Sequence, residues 1–149
     1  MRDAIIIDLD GTLCQSQHVA DYANSNGDVD WAKWTASTAF ATVNVWCADI
    51  VRAFANDGYQ ILFLTARSGN KEFRKITETW LQNNGFGYIQ YKLIMRGEMD
   101  KRADVVIKED IYNTQIAPYY NVSFAIDDKK AIVDTWRKLG VPALHCADY

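Results

Sequence analysis

Short apolar runs alternate along the chain with longer stretches whose apolar residues recur at helical spacing. A compact run fits a buried strand, and the longer period fits a helix with one apolar face. The run AIII at 4–7 is the first strand. Val43, Trp46, Ile50 and Phe54 then mark a helical face, and Gly58 is a natural stop for that helix. YQILFL at 59–64 predicts a second strand. Phe73, Ile76, Trp80 and Leu81 mark one face of a second helix, stopped at Gly85. A weaker strand is expected at 91–94, and a helix over 102–116 that ends before Pro118. VSFAI at 122–126 is the next strand. Ile132, Val133, Trp136 and Leu139 form the last helical face, closed by Gly140. PALHC adds a final edge strand, where Pro142 is tolerable. Trp46, Trp80 and Trp136 fall on these apolar faces and read as core.

Strands alternating with helices argue for an α/β fold: a three-layer sandwich around a mostly parallel, Rossmann-like sheet. In such sheets the site lies beyond the carboxyl ends of the strands. Segment 15–42 breaks the rhythm. It is polar, has NSNGDVD at its centre, and is followed by Trp31 and Trp34. A connection of that length usually has a function or is disordered. It reads as a small flap or cap-like insertion beside the strand ends of a single domain, 1–149. The plainer alternative is a surface excursion whose tryptophans dock on the core.

Composition narrows the picture. A chain of 149 residues, 49% apolar, suits one folded domain and excludes a disordered one. Lys plus Arg number 16 against 19 Asp plus Glu, a formal charge of −3. That balance does not suggest a nucleic-acid coat, although a local basic patch is compatible with it. The N-terminal stretch is not a signal peptide, and no run approaches the length of a membrane span. The three cysteines lack CxxC spacing and read as reduced thiols of a cytoplasmic protein. With only His18 and His145 present, a histidine-rich zinc site is not expected. Cys14 has no histidine partner to make it a nucleophile, and His18 reads as a surface residue.

The strand ends carry the chemistry. Asp8, Asp10 and Thr12 follow the first strand. Thr65, Ala66 and Arg67 follow the second, and Asp127 and Asp128 follow VSFAI. Lys108 lies on a helix one turn after Asp104. A single Asp in such a place is often only a turn former or cap. Several carboxylates from separate strands converging with one Lys are different, because they repel one another unless a cation neutralises them. Oxygen ligands without a histidine cluster suggest Mg2+. Phosphoryl transfer fits this set: one Asp can be the nucleophile and another can move the proton. Spacing alone does not say which Asp does which. No Walker-type glycine-rich loop is present.

DLDGT after a hydrophobic strand resembles the first motif of the haloacid dehalogenase-like superfamily, in its phosphatase branch. FLTAR at 63–67 resembles the second motif, KEDIY at 108–112 the third and AIDDK at 125–129 the fourth. From Ile94 onward the chain is similar to the 3′-phosphatase domain of bacteriophage polynucleotide kinase, through RGEMDKRADVVIKEDIY, IAPYYNVSFAIDDKKAIVDTWRKLGV and the ending ADY. The resemblance implies a stand-alone, Mg2+-dependent phosphatase working on a phosphorylated nucleic-acid end or a nucleotide. It implies Asp8 as the phosphate-accepting nucleophile and Asp10 as general acid and then base. Thr65 would bond a phosphoryl oxygen, and Lys108 would neutralise the phosphate and tie down the carboxylates. Asp8, Asp10, Asp127 and Asp128 would hold the metal, Asp10 through its backbone carbonyl. Thr12 would support the loop and, with Arg67, Arg96 and Arg102, the substrate. Asp104 would brace the site.

The departures from that family lie in the flap. The phage domain carries a basic segment after its first motif, where CQSQHVADYANSNGDVDWAKW is neutral to acidic. Weak single-strand binding is therefore expected, since such binding leans on cations and stacking. Trp31 and Trp34 are placed to stack on a base, or to pack on the core. Mononucleotides and other small phosphate esters remain an alternative substrate class. The flap is too short for the large caps that close over small metabolites, which favours a bulky substrate end. A non-enzymatic module would be expected to lack one of the acids or Lys108, and all are present. Dehalogenation does not need the acidic array. Nothing in the sequence calls for an obligatory protein partner.

Overall fold

Side chains of a strand alternate between the two faces of its sheet, and the first apolar run uses both. In the computed structural model, which describes residues 1–148, β1 (Arg2–Ile7) sends Ile5 and Ile7 to one core cluster and Ala4 and Ile6 to another. β2 (Gln60–Ser68) divides in the same way, Ile61 and Phe63 against Leu62 and Leu64. A strand apolar on both faces has to lie inside the sheet. With β3 (Tyr91–Arg96), β4 (Tyr120–Asp127) and β5 (Ala143–His145) the order is β3-β2-β1-β4-β5, and every pairing is parallel.

Helices cover both faces. Cys47, Ala48 and Val51 of α2 (Val45–Asn56) and Trp80 and Leu81 of α3 (Lys71–Asn83) fill the first cluster. Ile107 and Ile111 of α4 (Asp104–Ile111) and Ile132, Val133 and Trp136 of α5 (Lys130–Lys138) fill the second. The expected three layers are therefore present. Gly58, Gly85 and Gly140, the expected helix stops, all have positive φ. Among the described residues no helix is long and apolar enough to cross a membrane. Tyr149, the last residue of the ADY ending, lies outside them.

Three expectations need correction. Trp46 is 44% exposed. Its helix starts only at Val45, so the face that meets the sheet begins at Cys47, and Ile50 and Phe54 pack at its margin. The helix expected over 102–116 begins at Asp104, because the Arg102 N–H is drawn back to Asp100 Oδ1 (3.1 Å) and Ala103 is extended. Past Ile111 it loosens into a π-helical turn, Tyr112–Ile116, closed by the Ala117 N–H on Tyr112 O at 2.8 Å. Finally, β2 continues past Leu64 to Ser68, with a register shift against β3 between Thr65 and Ser68.

Segment 15–42 closes on itself where the Gln15 N–H donates to Thr42 O at 2.8 Å. It holds a short 3-10 turn at Val19–Tyr22, α1 (Trp31–Ser37) and a second 3-10 turn at Thr38–Phe40. Asp30 caps α1 by accepting from the Lys33 N–H (3.0 Å). Trp34 is buried, its Nε1 donating to Gln17 O at 3.2 Å, whereas Trp31 is 54% exposed. Trp80 Nε1 donates to Ala41 O (2.9 Å), which ties the end of the segment to α3.

Candidate active site

β1 is the central strand, flanked by β2 on one side and β4 on the other. A crevice opens beyond such a point in an open parallel sheet. Asp8 continues the line of β1, its N–H donating to Ile126 O on β4 at 3.1 Å. The chain then turns back sharply, with the Thr12 and Cys14 N–H groups on Leu9 O (3.0 and 3.1 Å). Gly11 takes φ 81°, and a Cβ there would stand 2.6 Å from Asp128 Cγ. Glycine thus serves both the turn and the approach of Asp128. Asn44 holds the loop from outside, its Nδ2 donating to Thr12 O at 2.9 Å.

Asp8, Asp127 and Asp128 each offer an oxygen within 4.8 Å of the others, and all three are buried. Lys108, 3% exposed on α4, donates to Asp8 Oδ1 (3.0 Å) and Asp127 Oδ2 (2.7 Å). The Thr12 hydroxyl donates to Asp8 Oδ2 at 3.2 Å, and the Lys129 N–H to Asp127 Oδ1 at 3.0 Å. Burial pushes the Asp8 carboxyl well above its ordinary pKa. Lys108 pulls it down, and Asp127, Asp128 and Asp10 push it up again. Burial also opposes the charge of Lys108, but Asp8 and Asp127 outweigh it and hold the ammonium above its usual value. One ammonium cannot balance three carboxylates. This buried, all-oxygen, net negative set suits a hard divalent cation such as Mg2+.

Asp10 points elsewhere. Arg67 Nε donates to its Oδ2 at 2.8 Å and Nη2 to its Oδ1 at 2.7 Å, a bidentate pair with the guanidinium almost wholly buried. Arg67 Nη1 reaches the Thr77 hydroxyl (3.1 Å), and its guanidinium carbon lies 5.8 Å from the centre of the Trp34 ring. The Asp10 carboxylate is therefore not in the three-carboxylate group. Thr65 is buried, its hydroxyl oxygen accepting from the Arg67 N–H at 3.2 Å.

The remaining sequence candidates surround this centre. Arg96 uses its guanidinium on Ala66 O (2.8 Å), Asp100 O (3.0 Å), Arg102 O (2.6 Å) and Asp104 Oδ1 (2.6 Å). It clasps the end of β2 to the loop before α4. Asp104 also accepts from Lys129 Nζ at 2.8 Å. Arg102 is exposed and paired with Asp100 and Asp110. Thr12 is 0% exposed with its hydroxyl on Asp8, and it does not line the cleft described below. Burial pushes the Cys14 thiol up to about 12, with Asp10 adding to the effect, so it stays protonated beside the site. Sequence reading assigned no role to Asn44 or Lys129. Lys129 stood inside the quoted AIDDK motif, whereas nothing local marks Asn44.

A cleft of about 750 Å3 opens over these residues. Asp8, Asp10, Thr65, Lys108 and Asp128 line it, and Asp127 does not. Trp31 and Trp34 of segment 15–42 line it as well, with Lys101, Arg102 and Lys129.

Over residues 2–149 the chain matches the family model of the polynucleotide kinase PNKP phosphatase domain. It is 29% identical over 149 residues to a putative bifunctional polynucleotide kinase/RNA ligase of Autographa californica nuclear polyhedrosis virus, covering 98% of this chain and 20% of that protein. Among solved structures it is similar to a chain of the Pnkp1/Rnl/Hen1 complex, with a TM-score of 0.79 and 28% identity over 99% of this chain and 46% of that one. A second structure, of the Pnkp1/Rnl/Hen1 RNA repair complex, gives a TM-score of 0.78 at 28% identity, covering 99% and 44%. The chain thus spans about a fifth of the curated relative and less than half of the solved chains. With an Asp pair at the end of the central strand, and a buried Lys among three carboxylates, it belongs to the PNKP phosphatase-domain family of haloacid dehalogenase-like enzymes.

Proposed function

We propose that this phosphatase removes 3′-phosphates from polynucleotide ends, with Mg2+, through an aspartyl-phosphate at Asp8. The observation that carries the chemistry is the clustering of Asp8, Lys108, Asp127 and Asp128, of which all but Asp127 line an open cleft, with Asp10 held beside them by Arg67. An Asp8 oxygen attacks phosphorus in line, and the ester P–O bond breaks. The departing hydroxyl oxygen takes a proton from Asp10. Asp10, now ionised, removes a proton from water. The water oxygen attacks the same phosphorus, the Asp8 O–P bond breaks, and inorganic phosphate leaves with Asp8 restored. Both Asp10 oxygens accept from Arg67, which fixes the plane of the carboxyl group beside Asp8.

Of the three clustered acids, Asp8 and Asp128 line the cleft and would face the cation, and Asp127 would support them from behind. Bound there, Mg2+ would cancel charge on the phosphoryl oxygens. The Thr65 hydroxyl would hydrogen-bond one of those oxygens. Lys108 holds Asp8 in place and opposes the charge gathered on the phosphoryl group. Asp104, joined to Arg96 and Lys129, braces the loop before α4 against the start of α5.

Family membership and the open cleft support a polynucleotide substrate. Nucleoside monophosphates and small esters are the alternative the chemistry also allows. The relatives lie in longer chains or in multiprotein assemblies, and we extend to this chain the expectation that it works beside other end-processing activities. A phosphate-release panel tests the substrate: 3′-phosphorylated oligonucleotide, 5′-phosphorylated oligonucleotide and nucleoside monophosphates, each with Mg2+. Preference for the first supports the proposal. Release from mononucleotides alone overturns the polynucleotide part and spares the phosphatase chemistry.

A further inference from the structure

The cleft is lined by apolar and by cationic side chains. Trp31, which is 54% exposed on α1, and Val19, 37% exposed, come from segment 15–42. Lys101, Arg102 and Lys129 line it too, Arg102 paired with Asp100 and Asp110 and Lys129 with Asp104. Trp46 is exposed as well but does not line the cleft, whereas Trp31 does. This one shares its cleft with the phosphoryl site. It is also held firmly. Its ring meets that of Trp34 edge-on, 5.7 Å between centres at 81°. Trp34 is fixed by the Nε1 bond to Gln17 O and lies against Arg67, which grips Asp10. A chain of contacts therefore runs from the exposed ring to the residue that moves the proton. Whatever lies on Trp31 is positioned relative to the bond being broken.

A nucleic-acid end has the parts to fill this cleft: a phosphomonoester for the Asp8 and Lys108 centre, an anionic backbone for the lysines and a flat nucleobase for the tryptophan. The flap itself is neutral to acidic, which leaves it stacking and not charge as a means of grip. We infer that Trp31 is the platform on which the nucleobase next to the scissile phosphate stacks, making the enzyme selective for base-bearing ends and indifferent to which base they carry. The inference rests on the proposed 3′-phosphatase activity and adds the specificity residue.

The test compares kcat/KM on two single-stranded 3′-phosphorylated oligonucleotides, one with a normal terminal nucleotide and one whose terminal sugar lacks its base. The wild-type enzyme is expected to favour the base-bearing end by about 10-fold or more, expressed mainly in KM. Trp31→Phe keeps most of that ratio. Trp31→Ala brings it close to one, and so does Trp31→Leu, which retains apolar bulk if the smaller residue disturbs the flap. An equal ratio in wild type and both aliphatic variants, with phosphate still released, overturns the stacking platform and leaves the 3′-phosphatase intact. No release from either oligonucleotide overturns both.

Discussion

Asp10 and Arg67 are 57 positions apart in sequence, yet their side chains form a bidentate ion pair at the site. Two parallel N–H donors fix the plane of the carboxylate, which a lysine cannot do. Arg67→Lys is expected to lower kcat by about 100-fold with little change in KM, the scale of a misplaced acid–base group, and steady-state kinetics check this. Gly11 makes the complementary case. Alanine there faces the positive φ, worth about 1–2 kcal/mol, and a clash with Asp128, so urea denaturation should show a loss of at least that size. Consecutive residues of DLDGT announced the loop. The partner of Asp10 was hidden, because it depends on how far β2 runs and where its register shifts.

Among the elements, what was legible followed from periodicity, and what was not followed from capping and register. The strands, the order of helices and the glycine stops could be read, because apolar spacing reflects the face a segment buries. The start of α2 at Val45 could not, and a displacement of one residue moved Trp46 from the expected core to the surface. Trp46→Gln should therefore change stability by less than about 0.5 kcal/mol. Trp80→Ala, on the buried face of α3, should cost about 3–5 kcal/mol in the same denaturation experiment. α4 carries Lys108 into the acidic cluster. Removing that ammonium with Lys108→Met leaves Asp8 and Asp127 buried without it, at a cost of about 3–5 kcal/mol, and should abolish turnover.

For the molecule as a whole, the parallel sheet gathers acids from two adjacent strands at one end, and their repulsion is a property of the fold. The folded protein holds the Asp8 proton to higher pH than the unfolded chain does. The resulting stability is fully present below the ordinary carboxylate value of 3.8, and is lost as pH rises through the raised one. Mg2+ should offset that loss. Thermal melts with and without Mg2+ should differ little near pH 4 and increasingly as pH rises. A difference that is flat with pH would count against the carboxylates as the cation site.

The central claim is that phosphate passes through Asp8. A short reaction with a 3′-phosphorylated oligonucleotide and Mg2+, quenched in acid and reduced with borohydride, converts any aspartyl-phosphate to homoserine, and peptide mass spectrometry locates it. Conversion at position 8, absent from Asp8→Asn, is the expected result. Conversion at position 10, or phosphate released at full rate by Asp8→Asn, would contradict the account.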